Sequence, residues 1–268
     1  MRISLRDVYS GVKNTIFPQT EDAAFEAKEL LQAVFGVSRQ DILLGREMEV
    51  ESEQLDRLQA LARRRASGEP LQYLLGEWDF YGRTFSVGPG VLIPRADTEP
   101  LVEKALEFLK GKPNPRVLDL CTGTGCIAVT IGAERPDAEV WAVEKSPEAW
   151  AFFCRNNEKY GGRVHGVLAD ALMEIPILPV EFDLIISNPP YLTAEEMADL
   201  QPEVRKEPAM ALDGGEDGLS FYRQLTGRYR SFLKPGGMMA YEIGMGQENA
   251  VCEIFLQNRL DSVCQTKD

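Results

Sequence analysis

The sequence lacks most features that would give an easy functional assignment. No run approaches the roughly 20 apolar residues needed to cross a bilayer, and the opening stretch MRISLRDVYSGVKN has no apolar core of the signal-peptide kind. These absences predict a soluble, cytoplasmic protein. Five cysteines, Cys121, Cys126, Cys154, Cys252 and Cys264, form no C-x-x-C pair, and their odd number gives no disulfide framework. Histidine occurs once, as His165 in the apolar run RVHGVLAD, so there is no partner set for zinc. No metal site is expected, and His165 reads as a packed or exposed strand residue without a catalytic role. Basic charge is also scarce: 29 Lys and Arg stand against 42 Asp and Glu, a net charge of −13. A chain that grips phosphate backbones usually carries a basic face, so neither sequence-specific nucleic-acid binding nor a membrane role is expected. The one basic cluster, RRR at 63–65, reads as a solvated helix face.

What is present has two textures. Residues 1–76 show helical spacing. AAFEAKELLQAVFGV places Phe25, Leu30, Leu31, Val34 and Phe35 near one face, and SEQLDRLQALARRRASGEP repeats Leu55, Leu58 and Leu61 before stopping at Gly68 and Pro70. The stretch 77–95, which contains WDFYGRTFSVGPGVLIP, alternates aromatic or β-branched residues with turn residues and predicts a β-hairpin linker. From 96 to 268, apolar strands alternate with helices: RVLDL, CIAVTIGAERP, AEVWAVE, SPEAWAFFCRNNEKYG, RVHGVLAD and FDLIIS follow one another. A helix is expected around 217–232, then a turn and strand in PGGMMAYEIG and a helix in QENAVCEIFLQNR. Continuous apolar strands between helices predict a mostly parallel sheet covered on both faces, a doubly wound α/β domain behind a small helical bundle.

Ligands of such sheets sit beyond the carboxyl ends of the strands, where the strand order reverses. Four strand ends carry suggestive residues. After RVLDL comes DLCTGTGC, whose Gly123 and Gly125 let backbone approach a ligand, although two glycines at this spacing are also an ordinary strand-to-helix turn. Glu144 ends the second strand, where a carboxylate can accept ribose hydroxyls or simply face water. Asp170 ends the third, placed to accept from an exocyclic adenine amine. Together they imply a nucleoside cofactor. Neither G-x-G-x-x-G nor a Walker lysine is present, and acidic strand ends suit a cationic sulfonium, so S-adenosylmethionine fits better than a phosphate-rich cofactor.

The fourth strand end is SNPPYL, residues 187–192. Two prolines stiffen the backbone and remove two donors. An amide or arylamine nitrogen is a poor nucleophile because its lone pair is delocalised. If Asn188 Oδ1 and the Pro189 carbonyl each accept one N–H of such an NH₂, the nitrogen is fixed with its lone pair toward the methyl donor, and Tyr191 can cover the planar group. Catalysis would then be orientation in a dry site, with direct displacement.

With NPPY, the segments GEPLQYLLG, FYGRTFSVGPGVLIPRADTEPLVE, VLDLCTGTGCIAV, EPAMALDGGEDGLSFYR and EIGMGQ make the sequence resemble the release-factor glutamine-N5 methyltransferases, the HemK group, over nearly its whole length. That resemblance implies a helical substrate-recognition domain (1–76), a hairpin linker (77–95) and a seven-stranded methyltransferase domain (96–268). It also implies methylation of the glutamine side-chain amide in the Gly-Gly-Gln motif of peptide-chain release factors. Carried over by position, it assigns Cys121, Thr122, Gly123, Thr124 and Gly125 to the cofactor loop, Glu144 to the ribose, and Asp170 with Ala171 to the adenine. Asn188, Pro189, Pro190 and Tyr191 would hold the target amide, with Asn188 also beside the cofactor. Cys121 stands where the family loop usually has glycine, Glu144 replaces the commoner aspartate, and RADTE replaces RPETE. The chain stops at SVCQTKD, where relatives continue through a last strand. The alternative is an adenine or cytosine amino-methyltransferase of nucleic acid, which uses the same proline device on an arylamine. A non-enzymatic adaptor with a relic α/β domain is the third.

Overall fold

The computed structural model describes residues 1–173, 178–179 and 181–260. They pack as two compact units, one of Met1–Gly76 with Gln201–Lys206, the other of Glu77–Leu200 and the chain from Glu207 onward.

The first unit opens with a short antiparallel pair, β1 (Arg2–Ser4) and β2 (Glu47–Glu49), which the sequence pattern does not announce. Its helices are α1 (Leu5–Ile16), α2 (Ala23–Phe35), α3 (Arg39–Leu44), α4 (Ser52–Ala66) and α5 (Leu71–Leu75). Ser4 caps α1, and Ser38 with Asp41 forms a capping box on α3, so polar side chains satisfy otherwise orphaned helix-start donors. The buried face of α2 is Ala23, Glu26, Ala27, Leu30, Leu31 and Val34. Phe25 is therefore not on it: the ring is exposed beneath the Arg39 guanidinium, 5.5 Å from its centroid. The inward position is taken by Glu26 because Arg65 meets it there.

Arg65 corrects the solvated reading of the basic cluster. It is 1% exposed, donates to both Glu26 oxygens at 2.6 and 2.9 Å, and pairs with Glu203 at 2.7 Å. Arg63 and Arg64 remain outside. A guanidinium suits this position because its planar fork satisfies two carboxylates at once.

The second unit begins with the hairpin β3 (Glu77–Phe80) and β4 (Arg83–Ser86), paired Glu77↔Ser86 to Phe80↔Arg83. Tyr81 and Gly82 turn it with φ of 51° and 67°, a two-residue turn of the kind that matches strand twist. Next come α6 (Glu99–Leu109), β5 (Arg116–Leu120), α7 (Cys126–Glu134), β6 (Glu139–Glu144), α8 (Pro147–Lys159), β7 (Val164–Leu168) and β8 (Phe182–Ser187). After β8 follow α9 (Ala194–Ala198), α10 (Ser220–Tyr229), β9 (Leu233–Tyr241) and α11 (Glu248–Gln257).

Strands β5 to β9 form one parallel sheet in the order β7-β6-β5-β8-β9. Alternation along each strand feeds two cores. Val117, Leu184 and Ile186 meet α6 and α7 on one face, while Leu118, Leu120 and Ile185 meet Leu225 and Tyr229 of α10 on the other. That double burial is why the strands read as unbroken apolar runs. The described sheet has five strands rather than the seven expected, and the stop at SVCQTKD, with Cys264, lies within 261–268, outside the described residues. His165 sits exposed on edge strand β7, stacked on Trp141 at 4.8 Å.

Candidate functional site

Strands β5 and β8 are neighbours although β6 and β7 lie between them in sequence, so the order reverses there. Residues 121–125 leave β5 at this point and Asn188 leaves β8 beside them. The glycine loop is held from several sides. Thr122 N donates to the Val143 carbonyl at 3.1 Å and Gly125 N to the Thr122 carbonyl at 2.8 Å. Asn156 Nδ2 donates to the Thr124 carbonyl and to Ser86 in the hairpin, while its Oδ1 accepts from Ser86 N. Gly125 needs its lack of a side chain: φ is 81°, and a Cβ would lie 2.7 Å from Phe153. Above Gly123, at φ 58°, a Cβ would meet nothing within 4 Å, which leaves space for a ligand against bare backbone. Cys121 also sits at positive φ, 60°, which explains why glycine suits this position and costs this chain about 1–2 kcal/mol.

Glu144 is buried at the end of β6. Its Oε2 accepts from Gly123 N at 2.8 Å, and its Oε1 from the amides of Lys145 and Ser146 at 2.9 and 2.7 Å. Burial raises its pKa, and those amides oppose the rise. A carboxylate has about four lone-pair sites, so roughly one is left for a ligand hydroxyl. Asp170 accepts from Leu172 N and pairs with Lys145 at 2.8 Å; burial favours its neutral form, but these partners outweigh that and hold its pKa low. Beneath the loop, Asp119 is fully enclosed, accepts from the Thr122 hydroxyl, and is pushed up to about 7 by burial, with Glu144 adding repulsion.

The loop, Glu144 and Asp170 border a cleft of about 290 Å³, with Asp119 buried behind it. Cys121, Thr122, Gly123 and Thr124 line it from β5, Glu144 from β6, and Asp170 with Ala171 from beyond β7. Asn188 and Pro190 line it from β8, whereas Gly125, Pro189 and Tyr191 do not. Open space over Gly123, flanking carboxylates and largely apolar walls fit a neutral nucleoside bearing a cationic centre.

The segment after β8 is clamped by parts of the chain whose roles sequence reasoning missed. Leu192 N donates to the Leu212 carbonyl and Gly214 N to the Leu192 carbonyl. A Cβ at Gly214 would lie 2.7 Å from the Tyr191 backbone, and one at Gly218 only 2.4 Å from the Tyr191 carbonyl oxygen. Gln247 Nε2 donates to that carbonyl at 2.9 Å, while its Oε1 accepts from Gly244 N and the Tyr222 hydroxyl. Arg95 at the cleft wall pairs with buried Glu207, which also accepts from Ile93 N at 3.0 Å. Asn188 Nδ2 donates to Thr98 Oγ1 at 3.2 Å, and Thr98 donates to Glu242 Oε2 at 2.6 Å. The Tyr191 hydroxyl reaches Glu242 Oε1 at 3.4 Å; burial, then Glu242, pushes its pKa up to about 12 and keeps it a neutral donor. The available signal was the motif set itself, since RADTE, EPAMALDGG and EIGMGQ carry these residues. Ala96 and Asp97, where RADTE departs from RPETE, are exposed and outside this network.

The sequence matches the PrmC N-terminal domain over residues 16–76 and the Methyltransferase small domain over residues 101–216. A protein of Geobacter sulfurreducens named release factor glutamine methyltransferase is 43% identical, over 88% of this chain and 82% of its own. Proteins of the same name from Thermodesulfovibrio yellowstonii and Gloeobacter violaceus are 39% and 41% identical, over 91% and 88% of this chain and 88% and 83% of theirs. Among solved structures, a methyltransferase from Pyrococcus furiosus is 18% identical with a TM-score of 0.48, covering 77% of this chain and 87% of that one.

Proposed function

The chain belongs to the release factor glutamine methyltransferase family, and on that premise we propose how its site methylates the glutamine side-chain amide of the Gly-Gly-Gln motif in peptide-chain release factors. S-adenosylmethionine, when bound, supplies the methyl group. Cys121, Thr122, Gly123 and Thr124 form the floor of its site, with Gly125 packed behind them on Phe153; Glu144 offers its remaining lone pair to a ribose hydroxyl, and Asp170 with Ala171 lies along the adenine.

The observation that carries the reading is the placement of Asn188 on the cleft wall at the switch point, beside the glycine loop and at the head of a doubly proline-stiffened turn. Asn188 Oδ1 and the Pro189 carbonyl accept the two N–H groups of the incoming amide and fix its plane. Pro189 and Pro190 are buried, so the carbonyl that accepts is carried on backbone with little freedom. Tyr191 covers the group while its hydroxyl is tied to Glu242. What the protein supplies is alignment of a weak nucleophile, the kind of effect that pre-positioning provides.

Residues 1–76 are assigned to recognition of the release factor, and the setting is the cytoplasm, where translation runs. No helix among the described residues is long and apolar enough to cross a membrane. The nucleic-acid alternative is not favoured, because the basic cluster that could have gripped a phosphate backbone loses Arg65 to a buried ion pair. Incubation with methyl-labelled S-adenosylmethionine and either release factor or nucleic acid tests the substrate class: label is expected on release factor alone, and label on nucleic acid overturns the reading.

A further inference from the structure

We propose that Thr98 and Glu242 are positioning residues that decide which end of the Asn188 amide faces the substrate; the inference rests on the acceptor role given to Asn188 above. An asparagine side chain is nearly symmetric in shape, so packing alone does not choose between its oxygen and its nitrogen. Hydrogen-bond direction does. The Glu242 carboxylate only accepts, and Thr98 Oγ1 lies 2.6 Å from it, so the single threonine proton is committed to Glu242. The threonine oxygen can then only accept along its contact with Asn188, which places Nδ2 there and leaves Oδ1 as the acceptor for the incoming N–H. Turned the other way, Oδ1 would face Thr98 with no proton between the two oxygens. The Tyr191 hydroxyl donates to the other oxygen of Glu242, which fixes the carboxylate in turn. Thr98 is 2% exposed and comes from the turn before α6, Asn188 from the end of β8 and Glu242 from the end of β9. Three separate elements thus converge to set one amide.

The chain of hydrogen bonds has one proton for two acceptors, and this reverses an expectation. An aspartate in place of Asn188 has an acceptor oxygen to offer, which on its own would make it outperform alanine. Here the introduced carboxylate and Glu242 would compete for the Thr98 proton across a buried hydroxyl. Replacing Glu242 by glutamine at the same time reverses the direction of the chain. The Tyr191 hydroxyl then selects Oε1 of the new side chain, its Nε2 donates to Thr98, and Thr98 donates to the carboxylate at position 188, whose second oxygen accepts the substrate.

The test combines single-turnover methylation of release factor with the side-chain NH₂ signal of Asn188 in asparagine-labelled protein. Thr98→Val keeps the shape and removes the hydroxyl. It is expected to lower kcat about 10–100-fold with little change in KM or cofactor affinity, to lower the melting temperature because Glu242 and Asn188 each lose a partner, and to speed hydrogen exchange at Asn188 Nδ2. Thr98→Ser should recover to within about threefold of wild type. Asn188→Asp should be slow, and Asn188→Asp with Glu242→Gln about tenfold or more faster than it. A wild-type rate with unchanged amide exchange in Thr98→Val, or a double variant no faster than Asn188→Asp, overturns the proposal. Wild-type protein that leaves release factor unmethylated while Thr98→Val still frees the amide hydrogens contradicts the substrate reading and upholds the positioning chain.

Discussion

Gln247 and Tyr191 are joined by a 2.9 Å hydrogen bond from the glutamine Nε2 to the tyrosine carbonyl, across 56 positions of sequence. The turn after β8, proposed above to carry the acceptor groups, is therefore held by side chains and glycines outside itself. Its rigidity comes from the prolines within it and from the clamp around it.

Gly214 tests that clamp. A methyl group there would press on the Tyr191 backbone at 2.7 Å, and backbone cannot yield as a flexible side chain would. Gly214→Ala should lower kcat at least about tenfold while leaving cofactor affinity near wild type, because a small misplacement of aligned groups is costly. Calorimetry with the cofactor and steady-state kinetics with release factor separate the two effects.

Glu144→Ala should weaken S-adenosylmethionine binding by about one charge-assisted hydrogen bond, about 1.5–3 kcal/mol. Its three backbone partners order both sides of the cleft, so the variant should also release Gly123 N and Ser146 N to exchange faster. Unchanged affinity by calorimetry removes Glu144 from the cofactor site.

Arg65→Met should destabilise the chain by about 3–5 kcal/mol, because it strands Glu26 as an unpaired buried charge. Adding Glu26→Leu should restore most of that loss, since the buried pair contributes little net once both charges are gone. Glu203 is half-exposed and can return to water. Denaturant melts of the single and double variants of the full chain decide it.

Asp119 gives a pH dependence with a definite sign. Its folded pKa, about 7, lies above its unfolded value, so the folded state keeps a proton that the unfolded chain has lost. That contribution is fully present below the unfolded value, about pH 4, and is lost as pH rises through about 7. Melting temperature should therefore fall between about pH 5 and 8 more steeply for the wild type than for Asp119→Asn. Parallel profiles would show that Asp119 does not titrate in this window.

Much of the architecture was legible in sequence, and for local reasons. Strands buried on both faces announce themselves as apolar runs, and the candidate ligand residues sit at strand ends, where a few neighbours define the position. What escaped depends on distant partners. Glu26 turns inward, and Phe25 outward, because Arg65 arrives from 39 positions away. Thr98 looks like a turn residue until Glu242, 144 positions on, is folded beside it. Arg95 finds Glu207 across 112 positions. The pair β1 and β2, three residues each, is too short to show a period. Motifs gathered these residues without saying what each one holds.

The most direct measurement is mass spectrometry of release factor after incubation with S-adenosylmethionine and either wild-type protein or Asn188→Ala, with folding checked by thermal melts. The expected product carries one added methyl on the Gly-Gly-Gln glutamine amide, formed about 10²–10³-fold more slowly by the variant through kcat rather than KM. A methyl group on any other residue, or a variant that reacts nearly as fast as wild type, contradicts the proposed mechanism.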